Sequence, residues 1–83
     1  MNILPKDLQK GDKVMLKNGW IAEVRGKAKG IRIFLLVHGY ASELGDTYTR
    51  DVEYRMNPDG SRDAVVLAPA HQKQFDSISK EGF

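Results

Sequence analysis

The chain has 83 residues, with 13 Lys and Arg against 11 Asp and Glu, and it contains no cysteine. This length predicts a single domain, residues 1–83, with a small core, and the lack of cysteine excludes a disulfide scaffold, a thiolate zinc site and a cysteine nucleophile. No apolar run is long enough to span a membrane, and the first residues lack a signal-peptide core, so we expect a cytoplasmic protein.

Short strands with a period-two alternation of apolar and polar residues follow one another along the chain. Asn18-Gly19 predicts a tight hairpin turn between the first two strands, because both residues tolerate a positive φ. A second turn is predicted at 57–60, where Pro58 presets φ. After Pro69, apolar residues at helical spacing predict a helix over 69–81. The five predicted strands cover residues 13–17, 20–25, 31–38, 47–56 and 64–67.

The register of the first hairpin depends on the length of its turn. A two-residue turn would place Glu23 beside the apolar Val14, whereas a connection of three residues, 18–20, pairs Val14 with Val24. We therefore expect the three-residue connection, because it keeps the apolar side chains on one face. With Trp20 at the turn and regular turn signals between strands, the pattern predicts a small, mostly β barrel over about 11–67.

The third predicted strand is apolar on both faces. Its odd-numbered residues from Ile31 to Val37 can supply the core of the barrel, but Phe34 and Leu36 then point to the opposite side. Something must cover that side. The C-terminal helix could do so with Phe75 and other apolar residues, or it could dock over an open end of the sheet.

The opening of the chain resembles SH3-like barrels of the KOW type, in Gly11-Asp12-Lys13-Val14, Asn18-Gly19-Trp20 and Gly30. A second and weaker resemblance covers most of the chain, which is similar to small uncharacterised proteins of phages and mobile elements. It is carried by Val37-His38-Gly39-Tyr40, Glu43-Leu44-Gly45, Tyr48, Asp51-Val52 and the tail ending in Gly82-Phe83. The resemblance implies an SH3-like barrel of about five strands in a phage or prophage protein, with no activity to transfer.

Residues suited to catalysis are few. His38, Ser42 and Asp46 could form a nucleophile, base and acid on paper, but no nucleophile-elbow pattern accompanies them. Glu43, Asp46 and Asp51 could supply oxygen ligands to calcium or magnesium, but the spacing of a calcium loop is absent. We therefore expect no enzyme activity, no catalytic residue, no metal and no cofactor.

A basic loop, residues 25–32, is the strongest candidate for contact with DNA or RNA. Its cations could neutralise phosphates while a nearby aromatic ring stacks on a base. The same lysines could instead keep a loop soluble. The candidate residues for nucleic-acid binding are Lys17, Trp20, Arg25, Lys27, Lys29 and Arg32.

Protein binding is the leading expectation from the sequence. Exposed aromatic and apolar side chains are enriched at protein interfaces. We expect a non-enzymatic module that binds a host or phage protein, or a second copy as a homodimer, and not a membrane. The candidate interface residues are Phe34, Leu36, Tyr40, Tyr48 and Tyr54.

Overall fold

A computed structural model describes residues 1–39 and 41–82 of the chain, so Tyr40 and Phe83 lie outside the described residues. That part of the chain contains seven strands and one α-helix. Short 3₁₀ turns occupy Pro5–Asp7 and Thr49–Asp51. The elements are β1 (Asn2–Ile3), β2 (Lys13–Leu16), β3 (Ile21–Val24), β4 (Arg32–His38), β5 (Ser42–Tyr48), β6 (Val52–Met56), β7 (Arg62–Val65) and α1 (Pro69–Gly82).

All seven strands form one mixed sheet in the order β1-β7-β6-β2-β3-β4-β5. The pair β1–β7 is parallel, and the other neighbours are antiparallel. Among the described residues no pairing joins β1 to β5, so the sheet is not a closed barrel. The predicted mostly β domain with a C-terminal helix is confirmed, but seven strands replace the expected five.

The core lies on one face of the sheet, here called the core face. Alternate residues of β2, β3 and β4 project there, as the period of a strand requires. Leu8, from the segment before β2, completes the cluster. The buried apolar cluster consists of Leu8, Val14, Leu16, Ala22, Val24, Ile33, Leu35 and Val52.

The β2–β3 hairpin corrects both registers weighed from the sequence. Val14 lies opposite Ala22, rather than Val24 or Glu23. Gly19 donates its N–H to the Leu16 carbonyl oxygen at 2.9 Å, and Leu16 donates its N–H to Trp20 at 2.8 Å. Gly19 has a φ of +89°, as expected for a turn that ends in a left-handed residue. The register therefore differs by two residues from the preferred one, which leaves every side chain on its predicted face.

The strand β5 differs from the expectation, because the sequence predicts a loop over 40–44 and a single strand over 47–56. Instead β5 pairs with β4 along seven residues, from His38 opposite Ser42 to Arg32 opposite Tyr48. The turn Thr49–Asp51 then separates β5 from β6. The polar sequence of β5 has little strand propensity of its own, so its conformation follows from pairing with the strongly apolar β4.

Helix α1 packs beside the end of β5 through Phe75, which is only 2% exposed. The Phe75 and Tyr48 rings meet edge to face, with centroids 5.6 Å apart and planes at 86°. The guanidinium of Arg50 lies 5.0 Å from the centre of the Phe75 ring. Phe34 stays 40% exposed, so the sequence alternative in which the helix covers Phe34 and Leu36 is wrong.

Candidate functional site

The face of the sheet opposite the core, here called the outer face, holds an exposed apolar patch. Ile21, Phe34 and Leu44 are exposed by 41%, 40% and 60%, and Leu36 is half-buried among them. Leu36 lies directly opposite Leu44 across the β4–β5 pair. We call these four residues the outer patch.

The strand registers show how the outer patch is assembled. Met15 lies between Tyr54 and Ile21 in one row across β6, β2 and β3. The next row brings Glu23 opposite Leu36. These rows place Ile21 diagonally to Leu36, within reach of long side chains. A continuous apolar stripe therefore crosses the outer face from Tyr54 to the strand β5.

The predicted interface residues are only partly brought together. Phe34 and Leu36 belong to the outer patch, and Tyr54 lies at the far end of the same stripe. The Arg62 guanidinium sits 4.7 Å from the centre of the Tyr54 ring. Tyr48 instead packs against the helix, and Tyr40 lies outside the described residues.

The sequence patterns do not identify two residues of the outer patch. The sequence predicts a loop at Leu44, because the residues that share its face in β5, Asp46 and Tyr48, do not continue an apolar alternation. Ile21 alternates with the core residue Ala22, so its outward direction followed from the predicted strand. The place of Ile21 next to Leu36 depends on the pairing of β3 with β4, and no local sequence pattern determines that pairing.

The basic loop is divided by the fold. Lys27, Lys29 and Arg32 line an open groove of about 510 Å³, together with Phe34 and Asp46. These three cations are therefore gathered on one side of the β3–β4 connection. The groove joins the outer patch at Phe34.

The other cations predicted for this site lie apart from that groove or are paired. Arg25 binds the Glu23 carboxylate at 2.8 Å. Lys17 and Trp20 belong to the β2–β3 turn, at the opposite end of β3 from the basic loop. The six residues proposed from the sequence therefore form two separate surfaces.

On the core face, a groove of about 660 Å³ runs along the end of β5. Leu16, Trp20 and Val37 supply its apolar side chains. Trp20 packs so closely on Gly39 that a Cβ atom there would lie 2.5 Å from the ring carbon Cζ3. Its charged lining residues are Lys17, Glu43, Asp46 and Asp51.

The three residues that could form a catalytic set, His38, Ser42 and Asp46, are not all brought together. His38 and Ser42 lie opposite each other, with His38 Nδ1 and Ser42 Oγ 3.1 Å apart. Asp46 is four residues further along β5, a distance of about 13 Å in an extended strand. Across residues 1–39 and 41–78, no group of three or more His, Asp or Glu side chains could hold a metal ion.

A polar cluster centred on Arg55 ties the far side of the sheet together. Arg55 binds Asp63 at 2.7 Å and lies 3.6 Å from Asp12. Asn57 also donates to Asp63, at 2.9 Å. Hydrogen bonds from Asn57 and then Arg55 hold the pKa of Asp63 below its ordinary value. Since each of these groups is partnered within the cluster, its role is to join β6, β7 and the loop before β2.

No protein-family model, no curated protein and no solved structure matches this chain. Of the helices in the described part of the chain, none has the length and apolar character needed to cross a membrane.

Proposed function

We propose that the protein is a non-enzymatic module that binds another protein through the outer patch. The observation that carries this proposal is the exposure of Ile21, Phe34 and Leu44 around the half-buried Leu36 on the outer face. Large contiguous exposed apolar patches, especially those rimmed by polar residues, mark interaction sites. The phage or prophage setting and the cytoplasmic location rest on the sequence alone, as does the likeness to SH3-like barrels.

The composition of the outer patch suits a protein partner. Its aromatic and aliphatic side chains can be desolvated together, and Glu23 and His38 border it with polar groups. An apolar centre with a polar rim is the usual anatomy of a protein interface. A homodimer through the same patch is an alternative that a measurement of mass in solution distinguishes.

A second candidate function is nucleic-acid binding at the groove beside the basic loop. The observation in its favour is the convergence of Lys27, Lys29 and Arg32 on one groove. Asp46 in the same groove and the formal net charge of +2 count against it. Binding of this kind should weaken steeply with salt and disappear when Lys27 and Lys29 are replaced by glutamate.

Affinity capture with matched variants tests the leading proposal. The protein is immobilised and exposed to a lysate of the cells that encode it, with and without nuclease. We expect a partner protein that survives nuclease, is lost with Leu44→Asp and is retained with Val66→Asp. Val66 is a suitable control because it is 39% exposed and lies next to β7, away from the outer patch.

The lysate experiment separates the two candidate functions. Recovery of a partner only without nuclease would favour the basic loop. A partner that is equally retained by Leu44→Asp would contradict the outer patch as the binding site.

A further inference from the structure

Within the described part of the chain, β5 forms one edge of the sheet, and the directions of its backbone groups follow from the hydrogen bonds. Thr49 donates its N–H to the Ile31 carbonyl oxygen at 2.8 Å. In an antiparallel pair, hydrogen-bonded positions alternate along each strand. The odd-numbered residues of β5 therefore bond to β4. The N–H and C=O groups of Leu44 and Asp46 point away from the sheet.

This edge lacks two of the usual devices that prevent strand pairing, a short length and a bulge, and it carries acidic side chains at Glu43 and Asp46 instead of lysine. Natural edge strands are commonly short, or carry proline, a bulge or charged side chains, most often lysine. The opposite edge strand, β1, has only two residues. By contrast, β5 has seven residues in uninterrupted register with β4, and its sequence Ser42–Tyr48 contains neither lysine nor proline. An added strand would find a continuous row of donors and acceptors.

The charges around the edge indicate what kind of strand it accepts. Glu43 and Asp51 line the groove on the core face, where the cation is Lys17, whereas Asp46 shares the groove on the other side with Lys27, Lys29 and Arg32. If two copies of β5 paired about Gly45, the two Asp46 side chains would become diagonal neighbours, whereas Glu43 would lie opposite Thr47. A basic segment is favoured over a second copy, because its cations can pair with Glu43 and Asp51, whereas β5 itself carries no lysine or arginine.

We propose that β5 binds an extended peptide segment of a partner protein as an added antiparallel or parallel strand, with alternating apolar and basic side chains. Its apolar side chains would contact Leu44 and the outer patch, and its lysine or arginine side chains would enter the groove beside Glu43. Backbone hydrogen bonds would give affinity, and the two faces would give specificity. The inference rests on the proposed function and names the chemistry of its partner.

Nuclear magnetic resonance titrations of the whole protein test this. The probes are two blocked heptapeptides, one alternating valine with lysine and the other valine with glutamate. We expect the lysine peptide to shift the amide signals of Leu44 and Asp46 and to slow their exchange with solvent. It should bind about tenfold more tightly than the glutamate peptide, because two ion pairs are replaced by two repulsions.

A pair of substitutions at one position separates backbone from side-chain effects. Asp46→Pro removes an outward N–H while leaving the β4–β5 hydrogen bonds in place, which is tolerated on an edge strand. Relative to Asp46→Asn, it should weaken binding of the lysine peptide about fivefold, as expected for one lost hydrogen bond. If Asp46→Pro fails to fold, slower amide exchange of Leu44 in the wild-type protein still reports the added strand.

The outcomes distinguish this inference from the proposed function. Equal binding of the two peptides, binding at another surface, or no binding would overturn the strand addition. If Leu44→Asp nevertheless loses a partner protein from the lysate, the outer patch still binds protein and only the peptide mode is wrong. If both experiments fail, the proposed function fails as well.

Discussion

Replacement of Phe75 by alanine tests whether α1 is held where the structure places it. Phe75 is 2% exposed and meets the Tyr48 ring edge to face, with Arg50 against its own face. Among the described core residues it is the one that α1 contributes. Loss of this ring should therefore release the helix from the sheet.

The expected magnitude follows from burial. A phenylalanine side chain buries about 150–250 Å² when enclosed, and its replacement by alanine in a core lowers the free energy of unfolding by about 3–5 kcal/mol. An 83-residue domain has a total stability of about 4–12 kcal/mol, so the variant should be marginal. Phe34→Ala is the matched control. Since Phe34 is 40% exposed and truncation leaves no enclosed cavity, we expect a loss of about 1 kcal/mol.

Urea unfolding followed by circular dichroism gives both values. Equal losses for Phe75→Ala and Phe34→Ala, or a loss below 1 kcal/mol for Phe75→Ala, would refute the docking of α1 at the end of β5. A large loss for Phe34→Ala would instead indicate that the outer patch is covered.

Three further substitutions probe particular contacts. Gly39→Ala should displace the Trp20 ring, red-shift its fluorescence and lower stability by about 1–2 kcal/mol, whereas Gly45→Ala meets nothing within 4 Å and should leave stability unchanged in urea unfolding. Thr49 is buried, and its hydroxyl finds no partner among the described residues, so Thr49→Val should raise the free energy of unfolding by about 1 kcal/mol; a loss in thermal unfolding would contradict this. The pKa of Asp63 is lowered in the fold, so its contribution is present above about pH 4 and is lost as pH falls through the lowered pKa. Thermal unfolding from pH 7 to 2 should accordingly show a weaker acid dependence for Asp63→Asn, and unchanged acid dependence would argue against the cluster.

Local sequence patterns predicted the parts of the fold that depend on local physics. The two-residue period of β2, β3 and β4 placed Val14, Ala22 and Leu35 on the core face, and helical spacing predicted the helix that the structure has at Pro69–Gly82. The hairpin register was wrong by two residues, because the glycine turn, not apolar matching, determines it.

Non-local pairing explains what the sequence did not show. The polar segment β5 is a strand because it pairs with β4. The strands β1 and β7 pair although they lie near opposite ends of the sequence, with Asn2 opposite Ala64. The outer patch combines Phe34, which alternation identified, with Leu44, which only the β4–β5 register brings beside Leu36. The alternation within one strand therefore predicts only part of a surface that three strands form together.

Photo-crosslinking inside the cells that encode the protein tests the outer patch most directly. A benzophenone-bearing amino acid replaces Leu44 in one variant and Val66 in the other, and both are irradiated. We predict a discrete covalent adduct with another protein from position 44 and none from position 66. Adducts from position 66 alone, adducts to nucleic acid, or no adduct at position 44 would contradict protein binding at the outer patch.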